Sequence, residues 1–361
     1  MAGCTPRGGI LDVTKRFAKI LGCSLLALTT APVAAHAATT LEQVQERGEV
    51  NCQVGRPEAG TFMLSPDGVW YGRDVAVCRA VAAAVFGDPE RVAFQVVAGG
   101  GRFTSLANGE SDLMVRAATN TLTRETQLGL DFTTVNFYDG QGFMVPADSG
   151  VTSALELDGA TVCMDPGTTG VANVADFTSR ANITIAPLMI ADRLVRLETY
   201  LKGGCDAITT DRSGLASDRA SFPDPSEHVI LPETISKEPL GAFVRQGDPQ
   251  WRNIVTWVVH AMVTAEELGL TSENIEEKRE NPDSTDQARF MGLEGDLNIG
   301  LGLSPEWAYN VIKYVGNYDE VYELYMGDGP EGGPAGMGIP RAGSLNANYR
   351  DGGLIYAPPF N

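Results

Sequence analysis

Two rounds of alternating strand and helix patterns are what most constrain this chain. In the first round, Val50–Gly55, Val92–Val97 and Ser111–Val115 are short apolar runs that predict strands. Between them Asp74–Phe86 and Arg102–Asn108 predict helices, closed by Gly87 and Gly109, and a short helix over Leu41–Gly48 comes first. Wiring of this kind predicts a parallel sheet with helices on its faces. After Tyr138-Asp-Gly-Gln-Gly142 the pattern restarts, with strands at Phe143–Val145, Thr161–Met164, Ile183–Pro187 and Asp206–Thr209 and helices at Thr169–Phe177 and Arg193–Lys202. A strand at Ala242–Arg245 then leads into a long amphipathic helix, Trp251–Leu268. The expectation is an α/β protein of two lobes, residues 38–141 with 246–361 in one and 142–245 in the other, joined by two crossings. A ligand cleft then falls between the lobes, where α/β sheets bind ligands at strand C-termini. Residues 292–361 differ in composition and read as a C-terminal extension, with the glycine-rich stretch 327–338 as a surface loop.

The first 37 residues follow another logic. A basic stretch with Lys15, Arg16 and Lys19 precedes an apolar run, Ile20–Val33, and small residues ending in Ala35-His-Ala37. That order predicts a secretory signal peptide cut after Ala37. Its roughly 14 apolar residues fall short of the ~20 that a spanning helix needs. The whole chain carries 27 Lys+Arg against 46 Asp+Glu, a formal net charge of −19. Processing removes Arg7, Lys15, Arg16, Lys19 and Asp12, leaving 23 against 45, near −22. Nucleic acids and anionic membranes are poor partners for such a chain, because phosphate binding needs Lys and Arg gathered into patches.

Of six cysteines, Cys52, Cys78, Cys163 and Cys205 survive processing, an even number for an oxidising compartment. Among three pairings, Cys52–Cys78 with Cys163–Cys205 is favoured because each closes a loop inside one half of the chain; buried free thiols are the alternative. No metal is expected, since there is no Cys-x-x-Cys and only His228 and His260 remain. No cofactor is expected either, because Gly99-Gly-Gly101 lacks the lysine and hydroxyl of a phosphate loop.

Several runs resemble one family. They include Arg102-Phe-Thr-Ser-Leu-Ala-Asn-Gly-Glu-Ser-Asp112, Thr121-Leu-Thr-Arg-Glu125, Phe137-Tyr-Asp-Gly-Gln-Gly-Phe-Met-Val145 and Ser153-Ala-Leu-Glu-Leu-Asp-Gly-Ala-Thr-Val-Cys163. With them stand Cys205-Asp-Ala-Ile-Thr-Thr-Asp211, His228-Val-Ile-Leu-Pro-Glu233, Ser236-Lys-Glu-Pro-Leu-Gly241 and Gly352-Gly-Leu-Ile-Tyr-Ala-Pro-Pro-Phe360. From about Thr40 to Asn361 the chain resembles the periplasmic amino-acid-binding proteins of ABC uptake systems, solute-binding family 3, and most closely the general L-amino-acid binders. The resemblance implies a two-lobed fold of the periplasmic-binding-protein type (type II) with a ligand cleft between the lobes.

An amino-acid site needs a cation with paired donors for the α-carboxylate, an anion for the α-ammonium, and neutral donors for the rest. Arg124 follows the strand Ser111–Val115 by a threonine-rich segment, which sets a guanidinium at a strand's C-terminal mouth. The resemblance implies that Arg124 binds the carboxylate, that Thr119 hydrogen-bonds the ligand and that Asp211 holds the ammonium. Taken without it, the three are a surface arginine, a turn threonine and an N-cap. Gly167-Thr168-Thr169 lies between a strand and a helix, so helix N–H groups and the hydroxyls of Thr168 and Thr169 can receive the carboxylate, or serve only as a cap. Phe62, the one aromatic in Arg56–Phe62, either covers the ligand side chain or packs in the core. The chain departs from the family at Arg116-Ala-Ala-Thr-Asn120, where relatives carry an Arg-Asn-Thr-Thr-Trp-like run.

What the resemblance implies is a binding protein and not an enzyme. It captures free L-amino acids by lobe closure and delivers them, as a monomer in the periplasm, to the permease subunits of an ABC transporter. Closure follows because the candidate residues sit on both lobes and meet only when the lobes do. The alternative is a periplasmic dehydratase of the cyclohexadienyl or arogenate type on the same scaffold. It needs a carboxylate or histidine with a shifted pKa against the reacting carbon, and His228 ends a turn, Asp224-Pro-Ser-Glu-His228. A receptor or scaffold role comes third.

Overall fold

The computed structural model describes residues 38–329 and 336–360. The export signal expected at residues 1–37 lies outside that range, as do residues 330–335 of the glycine-rich stretch. The described chain opens with α1 (Thr40–Arg47), whose Thr39 and Glu42 form a capping box, and β1 (Val50–Val54). A small hairpin, β2 (Met63–Leu64) and β3 (Trp70–Tyr71), precedes α2 (Arg73–Phe86), β4 (Val92–Val96), α3 (Arg102–Ala107), β5 (Leu113–Thr119), α4 (Leu122–Gln127) and β6 (Leu130–Asp139). There follow β7 (Gln141–Pro146), β8 (Thr161–Met164), α5 (Thr169–Ala181), β9 (Ala186–Met189), α6 (Arg193–Leu201), β10 (Ala207–Asp211), α7 (Arg212–Ala220) and β11 (His228–Ile230). The chain ends in β12 (Glu238–Arg245), α8 (Pro249–Glu267), α9 (Ile275–Glu280), α10 (Thr285–Phe290), α11 (Trp307–Val315) and α12 (Tyr318–Tyr325).

Two five-stranded sheets result, in the orders β4-β1-β5-β12-β6 and β11-β7-β10-β8-β9. They are mixed, not parallel throughout. β1 runs parallel to β4 and β5, and β8 parallel to β9 and β10. The strands that carry the chain between the sheets, β6, β7 and β12, pair antiparallel with their neighbours. Gly140 carries the chain from β6 in the first sheet to β7 in the second, and a short segment returns it from β11 to β12. β12 pairs Glu238 with Asp139 and so belongs to the first sheet. The return crossing therefore falls between Ile230 and Glu238, where the sequence placed the boundary at residue 245. The expected strand Ile183–Pro187 also moves, to Ala186–Met189, because Asn182 caps α5 in the left-handed region at φ 54°.

The crossings touch. A Cβ on Gly140 would stand 2.2 Å from Thr234 Cγ2 and 2.8 Å from the Ser236 carbonyl, so only glycine lets the outgoing and returning segments run this close. The Gln141 amide donates to Ser236 Oγ at 3.1 Å and the Ile235 amide to the Gln141 carbonyl at 2.8 Å.

The largest core explains the extension. α2 is buried on nearly every face, from Val75 to Ala84, so one sheet cannot cover it. Its outer side is closed by α11, whose Trp307, Val311 and Ile312 join one apolar cluster with α8 and the first sheet. The described part of the C-terminal extension therefore contributes a layer of this core. Asn346 closes the exposed edge of β6 by giving and taking one hydrogen bond each with the Tyr138 backbone, at 2.9 and 2.7 Å. The final Phe360 lies among Trp307, Trp257 and Phe290, with ring centroids 5.2–5.8 Å away.

Cys52 is bonded to Cys78, tying β1 to α2, and Cys163 to Cys205, tying β8 to the approach of β10. The bonds close loops of 26 and 42 residues. Each is expected to stabilise the fold by about 3–4 kcal/mol through the entropy of the unfolded chain. Urea denaturation of the Cys52→Ala/Cys78→Ala variant checks this; a loss under about 1 kcal/mol contradicts it.

Candidate functional site

A cavity of about 340 Å³ lies where the C-terminal ends of β5, β8 and β10 approach one another. That volume falls inside the ~300–1,000 Å³ usual for small-ligand sites. Arg124, Thr119, Asp211, Thr168, Thr169 and Phe62 all line it.

Arg124 sits in the first turn of α4, where Thr121 caps the helix by accepting from the Arg124 amide at 3.2 Å. Its side chain is 7 % exposed. Nη1 donates to the Thr119 carbonyl at 2.7 Å, and the guanidinium lies over the Phe103 ring, 4.7 Å from its centroid. Among the described residues it has no carboxylate within ion-pair distance. Burial, and next the charge of Arg102, pull its pKa down to about 10, against the opposing effect of Glu238 and Asp211. It is a buried cation with donors to spare.

Asp211 ends β10 and stands at the N-cap of α7 without capping it. Its carboxylate accepts no hydrogen bond among the described residues. Desolvation, and then Asp139, Glu238 and Glu58, push its pKa well above the carboxylate range, while Arg124 opposes them. Thr168 likewise precedes α5 without a capping bond; its hydroxyl donates to the Asp165 carbonyl at 2.9 Å. Phe62 packs as a core residue and also reaches the cavity. It lines the cavity, yet it is 4 % exposed and packs with Val54 and Val75.

Glu238 is the residue that sequence reasoning missed. Buried at the start of β12, its carboxylate accepts from Thr119 on the first sheet, from Ser236 at 2.7 Å, and from Thr169 at 3.2 Å and Asn173 at 2.6 Å on α5. It therefore fixes two of the candidate hydroxyls and joins the halves at the crossing. The signal was a carboxylate at the head of an otherwise apolar strand, Glu238-Pro-Leu-Gly-Ala-Phe-Val244. At the cavity mouth Arg56 meets Asp192 at 2.8 Å, and Arg193 donates to the Pro57 carbonyl at 3.0 Å.

Ala117, one of the family departures, lies in β5 with φ 44° and lines the cavity. A non-glycine residue in that region is strained, and asparagine tolerates it better than alanine. The Ala117 amide is held there by Asp74 Oδ2 at 2.7 Å, and Asp74 by Arg73 at 3.0 Å. Ala117→Asn is expected to raise the unfolding free energy by about 0.5–1 kcal/mol. Urea denaturation reads this out, and a loss of stability contradicts it.

The two histidines lie elsewhere. His228 bonds the Tyr200 hydroxyl at 3.0 Å and packs on Phe222, and His260 lies against Trp257 on α8. Neither is among the cavity residues.

Residues 56–274 match the family model of bacterial extracellular solute-binding proteins, family 3. The chain is 48 % identical over 337 residues to the glutamate/glutamine/aspartate/asparagine-binding protein BztA of Rhodobacter capsulatus, covering 93 % of this chain and 97 % of that one. It is 44 % identical to the general L-amino acid-binding periplasmic protein AapJ of Rhizobium johnstonii, covering 96 % and 98 %. Among solved structures it is similar to an ABC transporter periplasmic binding protein from Brucella ovis with glutathione bound, at TM-score 0.85 and 42 % identity over 90 % of this chain and 100 % of that one.

Proposed function

The chain belongs to the bacterial extracellular solute-binding proteins of family 3, and from that premise we propose that it captures free L-amino acids in the cavity and delivers them to the permease of an ABC transporter. The observation that carries the reading is the pairing, in one cavity, of a guanidinium and a carboxylate that both lack ionic partners. Arg124 takes the α-carboxylate in a bidentate contact, with the backbone N–H groups at the Thr168-Thr169 start of α5 as neutral donors, while the hydroxyls of Thr119 and Thr169, which donate to Glu238, and of Thr168, which donates to the Asp165 carbonyl, offer the ligand their lone pairs. Asp211 takes the α-ammonium. These groups come from both sheets, so the two lobes, as bodies on either side of the crossings, complete the site only on closing. The protein is read as a monomer, exported to the periplasm by residues 1–37.

The dehydratase reading is weaker, since the named relatives are binding proteins, both histidines sit away from the cavity, and the strongly raised carboxylate in the cavity, Asp211, is matched by the ligand ammonium. Calorimetry tests the proposal on protein unfolded and refolded to strip carried-over ligand. One-to-one saturable heat with an L-amino acid recovered unchanged is expected. No heat from any common amino acid contradicts it, and a released product favours the enzyme.

A further inference from the structure

α7 begins without help from the residue at its own N-cap. Asp211 stands there, where an aspartate ordinarily accepts from the second or third helical amide, yet its side chain caps nothing. The outgoing crossing supplies the missing acceptors. The first amide of α7, that of Arg212, donates to the Gly140 carbonyl at 2.8 Å, and the second, that of Ser213, donates to Asp139 Oδ2 at 3.2 Å. Asp139 ends β6 in the first sheet, whereas α7 packs on β7 and β10 of the second. A carboxylate from one half of the molecule therefore caps a helix of the other.

Asp139 is fixed in this place from several sides. Its Oδ1 accepts from the Gly140 amide at 2.8 Å, which ties the carboxylate to the crossing itself. Arg73, 3 % exposed, lies with its guanidinium 4.0 Å from the centre of the Phe137 ring, and neither of its Nη groups has a hydrogen-bond partner among the described residues. Its charge and that of Asp139 act on each other. The returning segment is fastened to the same turn, because Arg212 Nη1 donates to the Leu231 and Glu233 carbonyls at 2.7 and 3.2 Å. The residue that follows Asp211 is thus bonded to both crossings.

Asp139 is not among the cavity residues, while Asp211, Ser213 and Gly214 are. It reaches a ligand only through the start of α7. A helix N-terminus favours a carboxylate, and without Asp139 the one at hand is Asp211, whose backbone already occupies the cap position at φ −55° and ψ 145°. Turning to the Ser213 amide would spend the group that the ammonium needs. The two carboxylates also interact: desolvation and next the charge of Asp139, with Glu238 and Glu58, raise the Asp211 pKa against the effect of Arg124. Asp139 itself is raised by desolvation, opposed by Ser213, Gly140 and Arg73.

We propose that Asp139 is a positioning residue for ligand binding: it caps α7 across the crossing in place of Asp211 and so leaves the Asp211 carboxylate free for the ligand ammonium. The proposal rests on the head recognition by Arg124 and Asp211.

Calorimetry on refolded protein tests it, with circular dichroism on the same samples and, as probe, whichever of the twenty common L-amino acids binds the parent most tightly. Asp139→Ala is expected to weaken binding by about tenfold, the order of one lost cap. Asp139→Asn, whose amide oxygen still accepts from Ser213, is expected to restore affinity to within about twofold of the parent at neutral pH. With the charge beside Asp211 removed and Glu238, Glu58 and Arg124 unchanged, its loss of affinity on acidification should move to lower pH. In an Asp211→Asn background Asp139→Ala should change affinity by less than about twofold. Parent affinity in folded Asp139→Ala overturns the proposal, as does an equal loss in both backgrounds. If Asp139→Ala does not fold, Asp139→Asn decides: affinity kept with the acid limb moved supports the proposal, and a limb at the parent's pH overturns it. Asp211→Asn binding as tightly as the parent removes the head reading itself, whatever Asp139 does.

Discussion

Arg124→Ala is expected to weaken amino-acid binding by about one to two decades without unfolding the protein. A charge-assisted bidentate contact contributes roughly 1.5–3 kcal/mol, and the truncated site leaves the ligand carboxylate facing apolar Phe103. The fold has little to lose, since the side chain makes one hydrogen bond, to the Thr119 carbonyl, and one stacking contact, on Phe103. Arg124→Lys retains the charge but not the planar fork, and its affinity should fall between the two. Calorimetry with circular dichroism on the same samples reads out both halves. Unchanged affinity in the alanine variant means the carboxylate is held elsewhere.

Asp211→Asn should cost a comparable one to two decades, roughly the value of a charged hydrogen-bonded pair, and it carries a pH signature. Desolvation and the carboxylates of Asp139, Glu238 and Glu58 raise the Asp211 pKa in the ligand-free protein. An ammonium ligand favours the ionised form and lowers it. Binding therefore releases a proton, and affinity falls as pH drops through the raised value. Stability has its own sign. A carboxyl whose folded pKa lies above its unfolded one favours the fold below the unfolded value, and that contribution is lost as pH rises through the folded value. Asp211→Asn removes one of the clustered like charges, so the ligand-free variant should be the more stable at neutral pH while binding worse. Calorimetry in buffers of different ionisation enthalpy measures the proton release. A variant with the same pH dependence as the parent excludes Asp211 as the titrating group.

The elements legible in the sequence are those whose local pattern matches what they bury. β8 was read at Thr161–Met164, and α6 begins at Arg193 because Asp192 caps it by accepting from the Leu194 and Val195 amides. β6 escaped notice. Its register against β12 shifts around Gly241, and the alternation of apolar residues breaks with it. The core role of α11 is indirectly visible, because α2 is apolar on nearly every face past Asp74 and something beyond one sheet has to cover it.

For the site the division runs differently. Arg124, Thr119 and Asp211 came from a resemblance of short runs, and the physical reading of each residue alone favoured a surface or capping role. Their meeting in one cavity depends on contacts far apart in the chain. Glu238 depends on them for all but its bond from Ser236: its donors Thr119 and Thr169 lie 119 and 69 residues away.

The most direct test of amino-acid capture through Arg124 and Asp211 is a crystal structure of the refolded protein with the L-amino acid that calorimetry ranks first. The account predicts the α-carboxylate on the Arg124 guanidinium and the α-ammonium on the Asp211 carboxylate. A ligand bound outside this cavity, or inside it with Arg124 and Asp211 both untouched, would contradict the account.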